Sequence, residues 1–243
     1  MLAVALTGCG GNGGERAEDV AMEPAGGVAT APDAPATSAP AAVIETEPGV
    51  VLFLGTSLTA GYGLGADQAY PALIQRSIDS AGLPFRVSNA GISGETSAGG
   101  LRRTEWALQQ PVAVLVLELG ANDGLRGLDV ARMRANLDSI IRLTRGRYPD
   151  ADVVIAGMEA PPNLGERYTS AFRDTFRELA AEHDAALVPF LLEGVAAVDS
   201  LNQADRLHPT AAGQRRLAAN VWRVLGPVLE RRARAQRESR DSP

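Results

Sequence analysis

Unbroken apolar runs separated by amphipathic helices are what most restrict the fold of this chain. Val50–Leu54 (VVLFL) and Val112–Leu119 (VAVLVLEL) show almost no polar alternation, the pattern of strands covered on both faces. The second run is the more apolar and is expected at the centre of a sheet. Shorter strands are expected at Phe85–Asn89, Asp152–Met158 and Ala186–Pro189. Between them the apolar spacing turns helical. Asp67 to Ser80 puts Tyr70, Leu73, Ile74 and Ile78 on one stripe, with Pro71 tolerated in the first turn. Ser97–Gln109, Val130–Arg145, Tyr168–His183 and a last helix from Pro209 to about Arg232 complete the series. Strand–helix alternation of this kind predicts an α/β fold, a five-stranded parallel sheet between two helical layers joined by right-handed crossovers. Functional loops of such sheets gather beyond the carboxyl ends of the strands. The loops after Leu54, Asn89 and Leu119 are the candidates.

Before this domain the composition changes. Gly10–Gly49 is made largely of Ala, Gly, Pro, Thr, Ser and Glu, without an aromatic residue. Such a segment buries too little apolar surface to offset its ordering entropy and reads as a disordered tether. The domain is assigned to residues 50–232, roughly 180 residues, a normal size for one core. Residues 233–243 are read as a polar tail. Net charge is −6, which argues against nucleic acid as a partner because no broad basic surface can neutralise phosphates. No run of about twenty apolar residues offers a membrane span. Oligomeric state is not legible, and a monomer is the default.

Cys9 is the single cysteine, so neither an internal disulfide nor a thiolate cluster is available. With two histidines in the chain, a histidine-rich metal site is not expected either. Leu6-Thr7-Gly8-Cys9 resembles a bacterial lipobox, in which cleavage before the cysteine exposes it to lipidation. The preceding MLAVAL is short and lacks the basic residues of a signal peptide. Residues 1–9 therefore read as a truncated lipoprotein signal. The expectation is export, to the periplasm or to a membrane through lipidated Cys9; the bland reading is an ordinary disordered N-terminus.

Two segments far apart in sequence carry the candidate chemistry. Gly55-Thr56-Ser57-Leu58-Thr59 follows the first strand and lifts the Ser57 hydroxyl where a helix begins. There its backbone N–H also points where an oxyanion would sit. A serine hydroxyl needs a neighbouring base. On this stretch alone, helix capping by Thr56, Ser57 or Thr59 and a phosphate-cradling turn remain open. At the other end, Asp205-Arg206-Leu207-His208-Pro209 sets a carboxylate three residues before an imidazole. Asp205 could hold His208 in the tautomer that leaves Nε2 as base. Pro209 suits the first position of the last helix. His183, flanked by Glu182 and Asp184, reads as an exposed helix end without a role. Two glycine-rich loops, Asn89-Ala90-Gly91-Ile92-Ser93-Gly94-Glu95-Thr96 and Gly120-Ala121-Asn122-Asp123-Gly124, could offer the Gly94 N–H and the Asn122 amide as donors. For the second loop, ordinary turn chemistry competes with that role.

Taken in order, GTSLTAGYGL, NAGISGETS, LELGANDGLRG and DRLHP resemble the four blocks of the SGNH (GDSL) hydrolase family, in its bacterial thioesterase I/arylesterase branch. The resemblance spans nearly all of Val50–Leu225. It implies a three-layer α/β/α, flavodoxin-like fold and a catalytic triad of Ser57, His208 and Asp205. It also implies an oxyanion hole formed by the Ser57 N–H, the Gly94 N–H and the Asn122 side chain. One departure stands out: the family's Gly-Asp-Ser is here Gly55-Thr56-Ser57, which removes a charge beside the nucleophile. The expected enzyme is a serine esterase or thioesterase acting on short-to-medium acyl esters of small alcohols, phenols or thiols, without metal or cofactor. Leu125, Arg126, Pro161, Pro162, Asn163, Leu164 and Tyr168 are expected to shape its site. A carbohydrate O-acetylesterase on the same fold, or a non-catalytic exported binding protein, are the alternatives.

Overall fold

The computed structural model describes residues 48–241. Cys9, the lipobox and the Gly10–Gly49 tether lie outside the described residues, apart from Pro48 and Gly49. Five strands form one sheet: β1 (Gly49–Gly55), β2 (Phe85–Gly91), β3 (Val112–Glu118), β4 (Asp152–Ala156) and β5 (Ala186–Val188). Every neighbouring pair is parallel and the order is β2-β1-β3-β4-β5. The apolar runs behave as their composition requires. All seven residues of β3 are buried, as are Val50 to Gly55 of β1. Burial of each large side chain in such a run contributes about 1.5–3 kcal/mol.

Among the described residues seven α-helices surround the sheet: α1 (Ser57–Ala60), α2 (Tyr70–Ser80), α3 (Ser97–Ala107), α4 (Ala121–Leu125), α5 (Val130–Arg147), α6 (Glu166–Glu182) and α7 (Ala211–Asp241). Helix α2 packs on α7, while α3 packs on α5 and α5 on α6. Handedness explains the division. The chain moves outward from β1 to β2, then jumps back across β1 to β3. Right-handed crossovers in opposite directions must lie on opposite faces. The reversal falls between β1 and β3, where open α/β sheets leave a crevice at the strand ends.

Three local expectations need correction. Gly120–Gly124 is not a simple turn: α4 occupies it, with Gly120 at φ 109° as its left-handed entrance. Pro209 is not the first residue of the last helix. It pairs with Asn202 in an antiparallel bridge, and Thr210 caps the helix by accepting the Gly213 N–H at 3.3 Å. The Thr210 hydroxyl can accept a first-turn N–H, which a proline side chain cannot. Finally, α7 continues past Arg232 to Asp241. Arg232 binds Asp152 at the start of β4 at 3.0 Å and Ala233 is buried, so the polar-looking end is anchored by one apolar stripe.

Candidate active site

Helix α1 begins directly at the end of β1. Thr56 is its cap, accepting the Leu58 N–H at 3.4 Å, so Ser57 is the first helical residue and not the cap. Amides in the first turn lack intrahelical acceptors, which leaves the Ser57 N–H free to point outward. Ser57 itself is 9% exposed. Its hydroxyl lies 3.0 Å from His208 Nε2, and His208 Nδ1 lies 2.7 Å from Asp205 Oδ2. The other Asp205 oxygen accepts the Leu207 and His208 N–H groups, each at 3.0 Å. The His208 N–H, then its ring, then the Leu207 N–H hold the Asp205 carboxyl down to about 2. It stays ionised at any working pH, so its acceptor oxygen selects the Nδ1–H tautomer of His208.

The segment bearing His208 is fastened to the segment bearing Ser57. Gln203 donates three times, its N–H to His208 O at 2.7 Å and its side-chain amide to Tyr62 O at 2.7 Å and Pro209 O at 3.0 Å, and its carbonyl accepts the Arg206 N–H at 2.9 Å. Tyr62 also lies against the imidazole, with ring centroids 4.4 Å apart. Arg206, between Asp205 and His208, takes a left-handed φ of 60°, a conformation that costs about 1 kcal/mol or more for a non-glycine residue.

Ser57, Gly94, Asn122 and His208 line one cavity of about 640 Å³. Gly94 has φ +77°, a left-handed backbone that suits glycine. The Asn122 amide donates one hydrogen to Glu95 O at 3.0 Å and has a second to give. Both loops are braced from behind. Asp123 accepts the Ser97 N–H at 2.8 Å and hydroxyl at 2.6 Å. Arg103 grips Glu95 through Nε at 2.8 and 2.9 Å and donates to Gly55 O and Ala90 O.

Of the residues expected to shape the cavity, Leu125 and Pro161 line it, whereas Arg126, Pro162, Asn163, Leu164 and Tyr168 do not. Arg126 donates instead to Gly94 O at 2.9 Å, and Tyr168 to Leu128 O at 2.7 Å. The missed wall is Met158, Ala160, Phe190 and Leu192, beyond β4 and β5. Those strand ends follow the same rule that singled out the other three. His183 also differs from its sequence reading. It is 8% exposed and binds Asp138 of α5 through Nε2 at 2.7 Å, clamping two helices.

A missed residue lies under the turn that carries Ser57. Glu118, the last residue of β3, is 0% exposed. It accepts the Thr56 N–H at 2.8 Å, the Thr56 hydroxyl at 3.0 Å and the Thr59 hydroxyl at 2.7 Å. Burial pushes its carboxyl up from 4.5 to about 7, against the downward pull of Thr56 and Thr59. A carboxylate closing an otherwise apolar run was the signal available in the sequence.

A model of the GDSL-like lipase/acylhydrolase family matches residues 53–216. The chain belongs to that family. It is therefore an enzyme, a carboxylic ester hydrolase. Among its relatives, Esterase TesA of Pseudomonas aeruginosa is 44% identical over 180 residues, covering 74% of this chain and 89% of that protein. Thioesterase 1/protease 1/lysophospholipase L1 of Escherichia coli is 37% identical over 181 residues, covering 74% and 84%. The crystal structure of TesA superposes with a TM-score of 0.70 over 73% of this chain and 98% of that one, at 44% identity. AlinE4, an SGNH-hydrolase family esterase, gives 0.63 over 72% and 93%, at 43% identity. The α/β fold expected for the family is the one observed.

Proposed function

We propose that the protein hydrolyses short-to-medium acyl esters or thioesters through an acyl-enzyme on Ser57, with His208 as base and Asp205 as its orienter. The observation that carries this reading is the unbroken contact chain from Ser57 Oγ to His208 Nε2 at 3.0 Å and from His208 Nδ1 to Asp205 at 2.7 Å. Ser57 Oγ attacks the substrate carbonyl as its proton passes to Nε2. The Ser57 N–H, the Gly94 N–H and the free Asn122 hydrogen receive the oxyanion. As the tetrahedral intermediate collapses, the imidazolium returns its proton to the leaving oxygen or sulfur. Water then attacks the acyl-serine by the same steps and restores the hydroxyl.

The apolar wall of Met158, Ala160, Pro161, Phe190 and Leu192 favours an acyl chain over a sugar, and so an esterase over the carbohydrate-deacetylating alternative. A fluorophosphonate probe tests the assignment. Folded protein is expected to gain one adduct, located by mass spectrometry on the peptide containing Ser57. A protein that stays unlabelled would count for the non-catalytic binder. In the same reading, Leu6-Thr7-Gly8-Cys9 and the following tether support an exported protein held to a membrane by lipidated Cys9. Expressed with its native leader, the wild type should fractionate with membranes and Cys9→Ala should be soluble; unchanged fractionation would remove the anchor from the reading.

A further inference from the structure

We propose that Glu118 is a positioning residue for the nucleophile, its ionised carboxylate holding the β1–α1 turn in the shape that presents Ser57. The proposal rests on Ser57 being the nucleophile.

The carboxylate grips the residue before Ser57 twice, by the backbone N–H and hydroxyl of Thr56, and reaches two residues beyond Ser57 through the Thr59 hydroxyl. The nucleophile is thus spanned on both sides by one rigid strand terminus. Gly55 makes room for this: a Cβ there would stand 2.1 Å from Thr59 Oγ1 and 2.7 Å from Glu118 Oε2.

Donor accounting favours the ionised form. The Thr56 N–H can only donate. Thr56 Oγ1 already accepts the Leu58 N–H, and Thr59 Oγ1 lies 2.8 Å from the Tyr70 hydroxyl. With Glu118 ionised, every hydrogen has one acceptor: Tyr70 donates to Thr59, and Thr59 and Thr56 donate to the carboxylate. A protonated carboxyl donating to Thr59 would reverse the Thr59–Tyr70 bond and leave the Tyr70 hydroxyl hydrogen without that acceptor in a buried site. Thr56 suits this arrangement.

Tyr70 of α2 is the titratable group facing the carboxylate, and its hydroxyl is itself held well above its ordinary range by burial and by the Glu118 charge. On the far side of the turn Arg103 reaches Gly55 O but is paired with Glu95. Burial therefore works against an ionised form that the donors favour, consistent with a carboxyl raised to about 7. Because that value lies above the ordinary 4.5, the group favours the fold most at low pH. The contribution is lost as pH rises through about 7. Activity and stability should then respond to this one group in opposite directions.

The test compares wild type with Glu118→Gln, once the fluorophosphonate probe has shown Ser57 to be reactive in the wild type. A failure at that first step removes the nucleophile reading and the role of Glu118 with it, whereas a labelled wild type followed by an unaffected variant removes only the role of Glu118. On p-nitrophenyl butyrate, Glu118→Gln is expected to lower kcat by about 10–100-fold, the usual cost of a slightly misplaced reacting group, with KM little changed. The acid limb of log kcat against pH should lose one unit of slope in the variant, the unit that ionisation of Glu118 supplies in the wild type. Urea midpoints should decline from pH 5 to pH 8 in the wild type and stay level in the variant. An unchanged kcat overturns the proposal, as does a lower kcat with the same slope, which would mark a purely structural residue. If Glu118→Gln fails to fold, Tyr70→Phe keeps the carboxylate and removes the last donor of its chain. It should move the acid limb to higher pH, and an unmoved limb counts against the proposal.

Discussion

Ser57→Ala is expected to reduce kcat for p-nitrophenyl acetate and butyrate by about 10³- to 10⁶-fold, the range seen when a serine nucleophile is removed. At the lower end this corresponds to about 4 kcal/mol of transition-state stabilisation. The residual rate should come from the oxyanion donors and from binding, which the substitution leaves in place. Stability should hardly change, because the side-chain hydroxyl bonds only to His208 Nε2 at 3.0 Å and a methyl group fits where Oγ was attached. Steady-state kinetics and a urea melt of the same preparation separate the two effects. Equal rates in the two proteins would sink the nucleophile assignment.

Asn122→Ala has the next largest expected effect. One hydrogen of its Nδ2 holds Glu95 O at 3.0 Å, and the proposed role assigns the second to the oxyanion in the cavity that Asn122 lines with Ser57 and Gly94. Removing an oxyanion donor costs about 10²–10³ in kcat. The loss should fall on kcat and not on KM, because the oxyanion exists only in the transition state and the intermediate. Loss of the Glu95 contact should destabilise the fold by about 1 kcal/mol. A kcat within twofold of wild type, with that stability loss present, would reduce Asn122 to a loop brace.

Much of this was legible in the sequence because the relevant physics is local. The strands of the buried sheet are nearly continuous apolar words, and Asp205 and His208 are close enough to bond whatever the rest of the chain does. Ser57 became interpretable only beside a base 151 residues away, which took four blocks in family order to recognise. What stayed hidden depends on the third dimension. His183 looked exposed between two acids, but the partner that buries it, Asp138, comes from another helix. No motif marks the wall of Met158, Phe190 and Leu192; the signal for it is the strand-end rule, which applies to β4 and β5 as it does to β1, β2 and β3. Glu118 was in plain view inside VAVLVLE. Its meaning required knowing that β3 ends directly beneath the turn that follows β1.

That same sheet order separates two tasks on one molecule. The groups proposed to meet the reacting carbonyl follow β1, β2 and β3, and the proposed base arrives on the segment before α7. The apolar wall that an acyl chain would meet follows β4 and β5, and none of its residues contributes a hydrogen bond to the Ser57–His208–Asp205 chain. Chemistry and substrate choice therefore occupy different strands. Residues at the ends of β4 and β5 can change size or shape while the reacting atoms keep their distances. The fold leaves this enzyme free to acquire new acyl preferences one side chain at a time, without reassembling the machinery that breaks the bond.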